Sequence, residues 1–445
     1  MNRILILFLV TLSATFAFGQ SNEVDAQIQF QSFQDVLKYA DEHAIQIQSA
    51  VIGEQIASAN KKDAKSYLYP SVNASAGYNN NLTLQPTLVP TAFFDSNATS
   101  GTFRELTFGQ QHVYSTGVQA QWNILNFQQL FASQTANIIA EQSEINTQKS
   151  KFNTYNHLAS TYYSILLTQE AIVIYEENLK VSEAIYKSTN EKFQKGIVSE
   201  DALNSAKIKQ LQNRNTLQQA LSNRSRFYTQ LQSQLNTNKQ IIISDSPQNY
   251  SLTSTNFETI HPEITWQEME VDKQKSLLKE KKALLLPNLS LNYQYNTSWA
   301  TDGFTDFSNA NELPQQYIGA KLNIPIFSGF SSRSKIKKSK LELQQQELQL
   351  ENTKLVKQNE DDLLLLDVNQ FEEELAENNK IMVLIQKNDV HAENKYNSGI
   401  TSLNERLDSY EDLLNAQNAY LQSLASYTLA KYKLNIRQID LKSNN

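Results

Sequence analysis

The chain has 445 residues, more than one ordinary single-core domain needs, and a formal net charge of −7, so no basic excess points to a nucleic-acid partner. It has no cysteine, which excludes disulfides, thiolate metal sites, a cysteine nucleophile and an N-terminal lipid-modified cysteine. The histidines at 43, 112, 157, 261 and 391 are scattered without metal-ligand spacing, and no cofactor is expected.

Arg3 precedes an apolar run from Ile4 to Val10, and Ala17-Phe18-Gly19 has small residues at the two positions a signal peptidase reads. Residues 1–19 therefore read as a secretory signal cleaved before Gln20. Beyond it no apolar run reaches 18 residues. Any membrane crossing by the mature chain must use strands.

A first repeat is expected over 20–244. Ser32 and Asp35 have the spacing of a capping box, and the helix they open should run to about Tyr69 and stop at Pro70. The period then changes to two. Val72, Ala74, Ala76 and Tyr78 alternate with Asn73, Ser75, Gly77 and Asn79 in a strand at about 71–80. An irregular segment with Pro86, Pro90 and Gly101 follows. A second strand, about 112–125, puts Tyr114, Thr116, Val118, Ala120, Trp122 and Ile124 on one face. Ser115, Gly117, Gln119 and Gln121 lie on the other. From Phe127 to Lys195 there is neither Gly nor Pro, enough for a rod of roughly 100 Å. Gly196 supplies a left-handed residue to end it, and Ser199 or Asp201 can cap the returning helix. This helical hairpin should fill 128–240.

Residues 245–262 are rich in Ser, Thr and Asn and read as a linker. The order then recurs over 263–445. A helix stops at Pro287, strands follow at about 288–298 and 316–326, and a second hairpin fills 331–439 with its tip at Gly399. Pro70 and Pro287 are 217 residues apart, Ala120 and Ala320 are 200 apart, and Gly196 and Gly399 are 203 apart. The offset falls by 17 between the paired strands and barely changes along the rods, so the first inter-strand loop is the longer one.

The rods carry packing seams. Leu403, Leu407, Tyr410, Leu414, Gln417, Leu421 and Leu424 alternate spacings of four and three. Leu158, Ile165, Ile172, Leu179, Tyr186 and Phe193 recur every seven. The strands have one apolar face and one polar face that is uncharged at most positions, with aromatics near their ends (Tyr67, Tyr69, Trp122, Trp299, Phe327), as in a membrane barrel. Four strands cannot close a barrel, and an open edge in lipid costs several kcal/mol per unpaired group, so several chains must share one.

The doubled order of helix, strands and hairpin carries a resemblance. So do Leu-Tyr-Pro-Ser at 68–71, Leu-Leu-Pro-Asn at 285–288 and Leu-Asn-Ile-Pro-Ile-Phe-Ser-Gly at 322–329. With the two Gly-containing tips and Leu413-Leu414-Asn415-Ala416-Gln417, the chain resembles the TolC-type outer-membrane efflux proteins over essentially all of its mature length. The resemblance implies an α+β membrane protein of two structural repeats, each with two barrel strands and a long helical hairpin. It implies a homotrimer with a twelve-stranded barrel in the outer membrane of a Gram-negative bacterium and a helical tunnel in the periplasm. It also implies a passive exit duct of a tripartite efflux or type I secretion system. The partners implied are a periplasmic adaptor and an inner-membrane pump of resistance-nodulation-division, ABC or similar type. Gly196, Ile197, Val198, Gly399 and Ile400 would form the adaptor-docking tips. Tyr396 falls on the family's gating tyrosine, and Glu405 and Asp408 on its two constriction carboxylates. Thr401 stands where well-studied relatives have a gate arginine, and Ala202 where an acid is expected, with Asp201 one position early. Helical spacing independently puts Thr401, Glu405, Asp408 and Asp412 on one face, opposite Leu403, Leu407 and Leu414. Three copies would make a negative ring that favours cations.

A different reading is a soluble periplasmic coiled-coil adaptor or scaffold, which leaves the strands unexplained; a diffusion porin would not need the rods. No nucleophile–base pair or phosphate loop suggests an enzyme. Outside any motif of the family, basic residues gather at three helix–strand junctions: Lys61, Lys62 and Lys65; Lys279, Lys281 and Lys282; and Arg333, Lys335, Lys337 and Lys338. They suit a collar against anionic outer-membrane lipid headgroups.

Overall fold

The computed structural model describes residues 27–245, 260–306, 310–439 and 441. The signal segment 1–19 and most of the 245–262 linker lie outside the described residues. Two compact units divide the chain: one takes residues up to 45, 157–251 and 374–429, the other 46–156, 252–373 and 430–445.

The second unit holds the sheet. Its strands are β2 (Ser71–Asn80), β5 (His112–Asn126), β7 (Asn288–Thr301) and β8 (Asn311–Asn323), hydrogen-bonded in the order β2-β5-β7-β8. All three pairings are antiparallel. The register lines up Val72, Ala120, Tyr293 and Ile318, and beside them Ala74, Val118 and Tyr295, so one face is largely apolar, with Gln316 and Glu312 of β8 as its polar members. Asn73, Gln119, Gln294 and Tyr317 belong to the other face, and there Lys321 is the charged exception. The apolar face is uncovered, with Ile318 79% and Val72 64% exposed. Among the described residues β2 and β8 are unpaired edges. The strand expected at 316–326 is displaced toward its N-terminus. Pro325 has no N–H to give a ladder, so pairing stops at Asn323, while Pro314 is accommodated because β8 is an edge. A bulge between Asn123 and Leu125 shifts the register of β5 against β7 before β5 ends.

The segment between β2 and β5 contains a small antiparallel pair, β3 (Pro86–Pro90) with β4 (Phe103–Thr107). Its prolines sit at strand ends, where a missing N–H is tolerated. The helical part of this unit comprises α2 (Ile45–Asp63), α5 (Pro262–Lys282) and parts of α3 (Phe127–Gln194), α6 (Ser331–Asn397) and α7 (Leu403–Gln438). Polar contacts dominate it. Thr135 and Ser276 share a 2.8 Å hydrogen bond, Gln142 donates to Glu270 at 2.9 Å, and Lys149 pairs with Glu263 at 2.9 Å. Arg437 of α7 grips Asp361 of α6 through Nε and Nη2 at 2.9 and 2.8 Å.

The first unit packs α1 (Phe33–His43) against α3, with Phe33 5.3 Å and 5.8 Å from the rings of Tyr162 and Tyr163. Val36, Ala40, Leu158 and Ile165 are fully buried there. Ser32 and Asp35 form a full capping box on α1. The single helix expected from Ser32 to Tyr69 is instead broken at Ala44, which is extended (φ −67°, ψ 122°) and fully buried, with no Gly or Pro to mark it. β1 (Ile28–Phe30) pairs in parallel with β6 (Ile241–Ile243), which follows α4 (Glu200–Gln234). The first hairpin therefore ends at Gln234, not 240.

The heptad seam of α3 also drifts. Leu158, Ile165 and Ile172 are buried, but toward the tip Asn178, Ser182, Ile185 and Thr189 take over, and Phe193 is 37% exposed.

Candidate functional site at the hairpin tips

Both hairpins end in the same backbone device. After α3, Gly196 (φ +70°) donates to Phe193 O at 2.8 Å and Ile197 to Lys192 O at 2.9 Å. After α6, Gly399 (φ +75°) donates to Tyr396 O at 3.1 Å and Ile400 to Lys395 O at 2.9 Å. These are paired Schellman motifs, whose left-handed position needs glycine. The residue after each glycine usually folds back onto the helix; here Ile197 is 66% and Ile400 74% exposed. Val198 is half-buried. Ser199 accepts from Ala202 N to cap α4. Ser402 accepts from Glu405 N at 3.2 Å, and Glu405 Oε2 accepts from Ser402 N at 3.4 Å, a capping box on α7.

Within this unit the two hairpins pack together just above the tips. Ile185, Ala206, Tyr396, Leu403, Tyr410 and Leu413 form one buried cluster. Tyr396 lies inside it, with its hydroxyl 3.5 Å from Thr189 Oγ1 and Lys192 Nζ 3.7 Å above its ring. Ala202 packs, partly buried, against the same cluster. Asp201, one position earlier, is exposed.

Of the four residues assigned one face of α7, Glu405, Asp408 and Asp412 are exposed while Leu403, Tyr410 and Leu413 are buried behind them. Thr401 is half-buried, and its Oγ1 has no hydrogen-bond partner among the described residues. Glu405 is committed in part to the helix cap, whereas Asp408 and Asp412 make no ion pair among the described residues. The neighbouring Glu411 turns the other way, to Lys209 of α4 at 3.0 Å.

Polar residues that periodicity does not single out lock the hairpins. Arg406 is 1% exposed on the seam of α7, and its guanidinium donates through Nη1 and Nη2 to both oxygens of Asp389 on α6, the second at 3.2 Å. Tyr410 donates to Asn178 O of α3 at 2.6 Å and accepts from Asn213 Nδ2 of α4 at 2.8 Å. Burial pushes its hydroxyl pKa up, so it stays neutral in both roles. Asn178 Nδ2 donates to Gln417 Oε1 at 2.8 Å. One signal was available in the sequence: Asp389 and Arg406, like Asp361 and Arg437, are opposite charges placed nearly symmetrically about Gly399.

No helix among the described residues is long and apolar enough to cross a membrane. One sheet, with an apolar face and two open edges, is built from two strand pairs, and each pair is followed in the chain by a long helical hairpin. Residues 36–237 and 259–443 match the family of outer membrane efflux proteins. The chain belongs to this family.

Solved structures agree in fold. The CmeC outer membrane channel of Campylobacter jejuni is 18% identical, with TM-score 0.75 over 91% of this chain and 85% of that one. VceC, an outer membrane protein of Vibrio cholerae, is 13% identical, with TM-score 0.73 over 91% and 96%. The open state of the Neisseria gonorrhoeae MtrE outer membrane channel is 15% identical, with TM-score 0.72 over 91% and 88%. No curated protein matches the chain in sequence. The efflux protein thus belongs in the outer membrane, and its fold is that of the solved outer-membrane channels. The readings that left the strands outside a membrane have no further support.

Proposed function

We propose that three copies of this efflux protein form the duct, each giving four strands to one closed barrel and its hairpins to one periplasmic tunnel. The observation that carries this reading is the sheet: its apolar face is uncovered and both edge strands are unpaired. In lipid each unpaired backbone group costs several kcal/mol, and closure through neighbouring copies removes the cost. The rods supply a second support, since Leu341, Leu348 and Leu355 repeat every seven residues along α6 and are 55–68% exposed. Such a stripe fits the seam of an adjacent helix.

In this reading the tips meet a periplasmic adaptor, which couples the duct to an inner-membrane pump. Ile197 and Ile400, held out by the two Schellman turns, are the apolar contacts of that docking, with Gly196, Val198 and Gly399 shaping it. Glu405, Asp408 and Asp412 line the iris, and Thr401 leaves it without an arginine link. Tyr396 keeps α6 and α7 seated on α3. The duct performs no covalent chemistry. Light scattering of the detergent-purified protein tests the assembly: three chains per particle are expected, and a monomer soluble without detergent would overturn the reading.

A further inference from the structure

We propose that the helical end of the sheet carries a basic collar that binds anionic phospholipid headgroups of the adjoining leaflet. This rests on the reading of the sheet as a membrane barrel. The starts of β2 and β7 and the ends of β5 and β8 lie at one end of the sheet, because Ser71 pairs with Gln121 and Asn288 with Asn126 and Asn323. All three basic groups attach there.

Three of the four connections at that end have the same order; the fourth, from β5 into α3, has no basic residue before Lys149. Leaving β8, the chain shows Ile326 (94% exposed), Phe327 and Phe330, then Arg333, whose guanidinium is 5.8 Å from the Phe330 ring, then Lys335 and Lys337. Entering β2, Lys61, Lys62 and Lys65 come first, then the exposed Leu68 and Tyr69. Entering β7, Lys279 and Lys282 precede the exposed Leu285 and Leu286. Apolar strand, aromatic or aliphatic rim, then positive charge is the order met on leaving a bilayer core for a charged headgroup layer.

Helix electrostatics separates this from ordinary capping. The lysines ending α2 and α5 complement helix C-termini, which attract cations anyway. Those at the start of α6 do not: Arg333, Lys335, Lys337, Lys338 and Lys340 crowd a helix N-terminus that has no acid in its first turn. The helix dipole opposes Arg333, in the first turn, and gives the lysines further along no support, so helix capping does not account for this group. Lys338 reaches Glu342 at 3.6 Å and Lys281 reaches Glu280 at 2.9 Å, but Lys62, Lys279, Lys282, Lys335 and Lys337 make no ion pair among the described residues. The opposite end of the sheet has the reverse balance. Segments 81–111 and 302–310 contain one basic residue, Arg104, against Asp95, Glu105, Asp302 and Asp306.

The chain contains its own probes. Trp122 lies at the collar end of the apolar face, donating to Leu68 O at 3.0 Å, and Trp299 pairs with Tyr114 near the other end. The full-length Trp266→Phe/Trp299→Phe protein, reconstituted in vesicles, would be quenched by brominated phosphatidylglycerol or brominated phosphatidylcholine. Quenching of Trp122 should favour phosphatidylglycerol by about fivefold or more at low salt. The preference should shrink as salt shortens the screening length, and vanish in Lys279→Glu/Lys282→Glu/Lys335→Glu/Lys337→Glu. In the Trp122→Phe/Trp266→Phe protein, Trp299 should show no such preference. Equal quenching of Trp122 by both lipids at every salt concentration would overturn the collar, leave the barrel standing and turn attention to an acidic protein surface. Quenching by neither lipid would overturn the barrel and the collar together. Should the quadruple variant not fold, the salt dependence with native lysines decides the matter.

Discussion

Helices α3 and α6 hold the same place in the two repeats and are nearly the same length, 68 and 67 residues. Their surroundings differ. α3 buries eighteen residues, among them Leu158, Tyr162 and Ile165, whereas α6 buries six, with Val368 and Tyr396 the only sizeable hydrophobes. α3 is finished by its own chain. α6 keeps a heptad of leucines open, and where it is held, polar side chains hold it: Asp361 by Arg437 and Asp389 by Arg406. α3 thus contributes to the internal core, and α6 leaves open the surface that the proposed assembly would use.

The largest test of that contrast is charge on the open stripe. Leu348→Asp with Leu355→Asp should abolish the three-chain particle in light scattering while circular dichroism stays helical; Leu158→Ala should instead lower the unfolding free energy by about 2–5 kcal/mol. If the double substitution left assembly intact, the stripe would have another role. Next in size is the buried brace. Arg406→Ala strands the Asp389 carboxylate and should cost about 3–5 kcal/mol in denaturant unfolding, while Arg406→Met with Asp389→Leu should recover most of it, since such a pair specifies more than it stabilises.

A smaller effect concerns His261, which caps α5 by accepting from Glu263 N at 3.1 Å. Burial, then Lys357 and Arg437, lowers its pKa from 6.5 to about 4. The unfolded chain therefore binds the extra proton between those values. Its contribution is complete above about pH 6.5 and is lost as pH falls toward 4. His261→Asn, which caps without titrating, should flatten that part of the stability profile relative to the parent; an unchanged difference across pH 4–6.5 would contradict the assignment. Smallest, and equal at the two tips, is alanine at Gly196 or Gly399. No atom lies within 4 Å of the added Cβ, so only the left-handed strain, about 1–2 kcal/mol, should register in thermal melts.

Much of the fold was legible because its signals are local. The glycines at 196 and 399 mark the tips, and the switch from helical to alternating period marks the strands. Pairing between distant segments was not. Nothing around Ile28–Phe30 points to Ile241–Ile243, since three-residue strands carry no period. Pro86 and Pro90 hid β3 because proline argues against strands in general but not at their ends. At the tips, the exposed face of Glu405, Asp408 and Asp412 follows from helical spacing alone. Arg406 escaped because a charge on a seam is read as a break in it, when a partner across the hairpin makes it part of the packing.

Single-channel conductance in a planar bilayer tests the duct and its iris most directly, comparing the parent protein with Glu405→Ala/Asp408→Ala. A small, cation-selective conductance that loses its selectivity in the double variant is the predicted result. No conductance at all, from a protein that needs no detergent, would contradict the account.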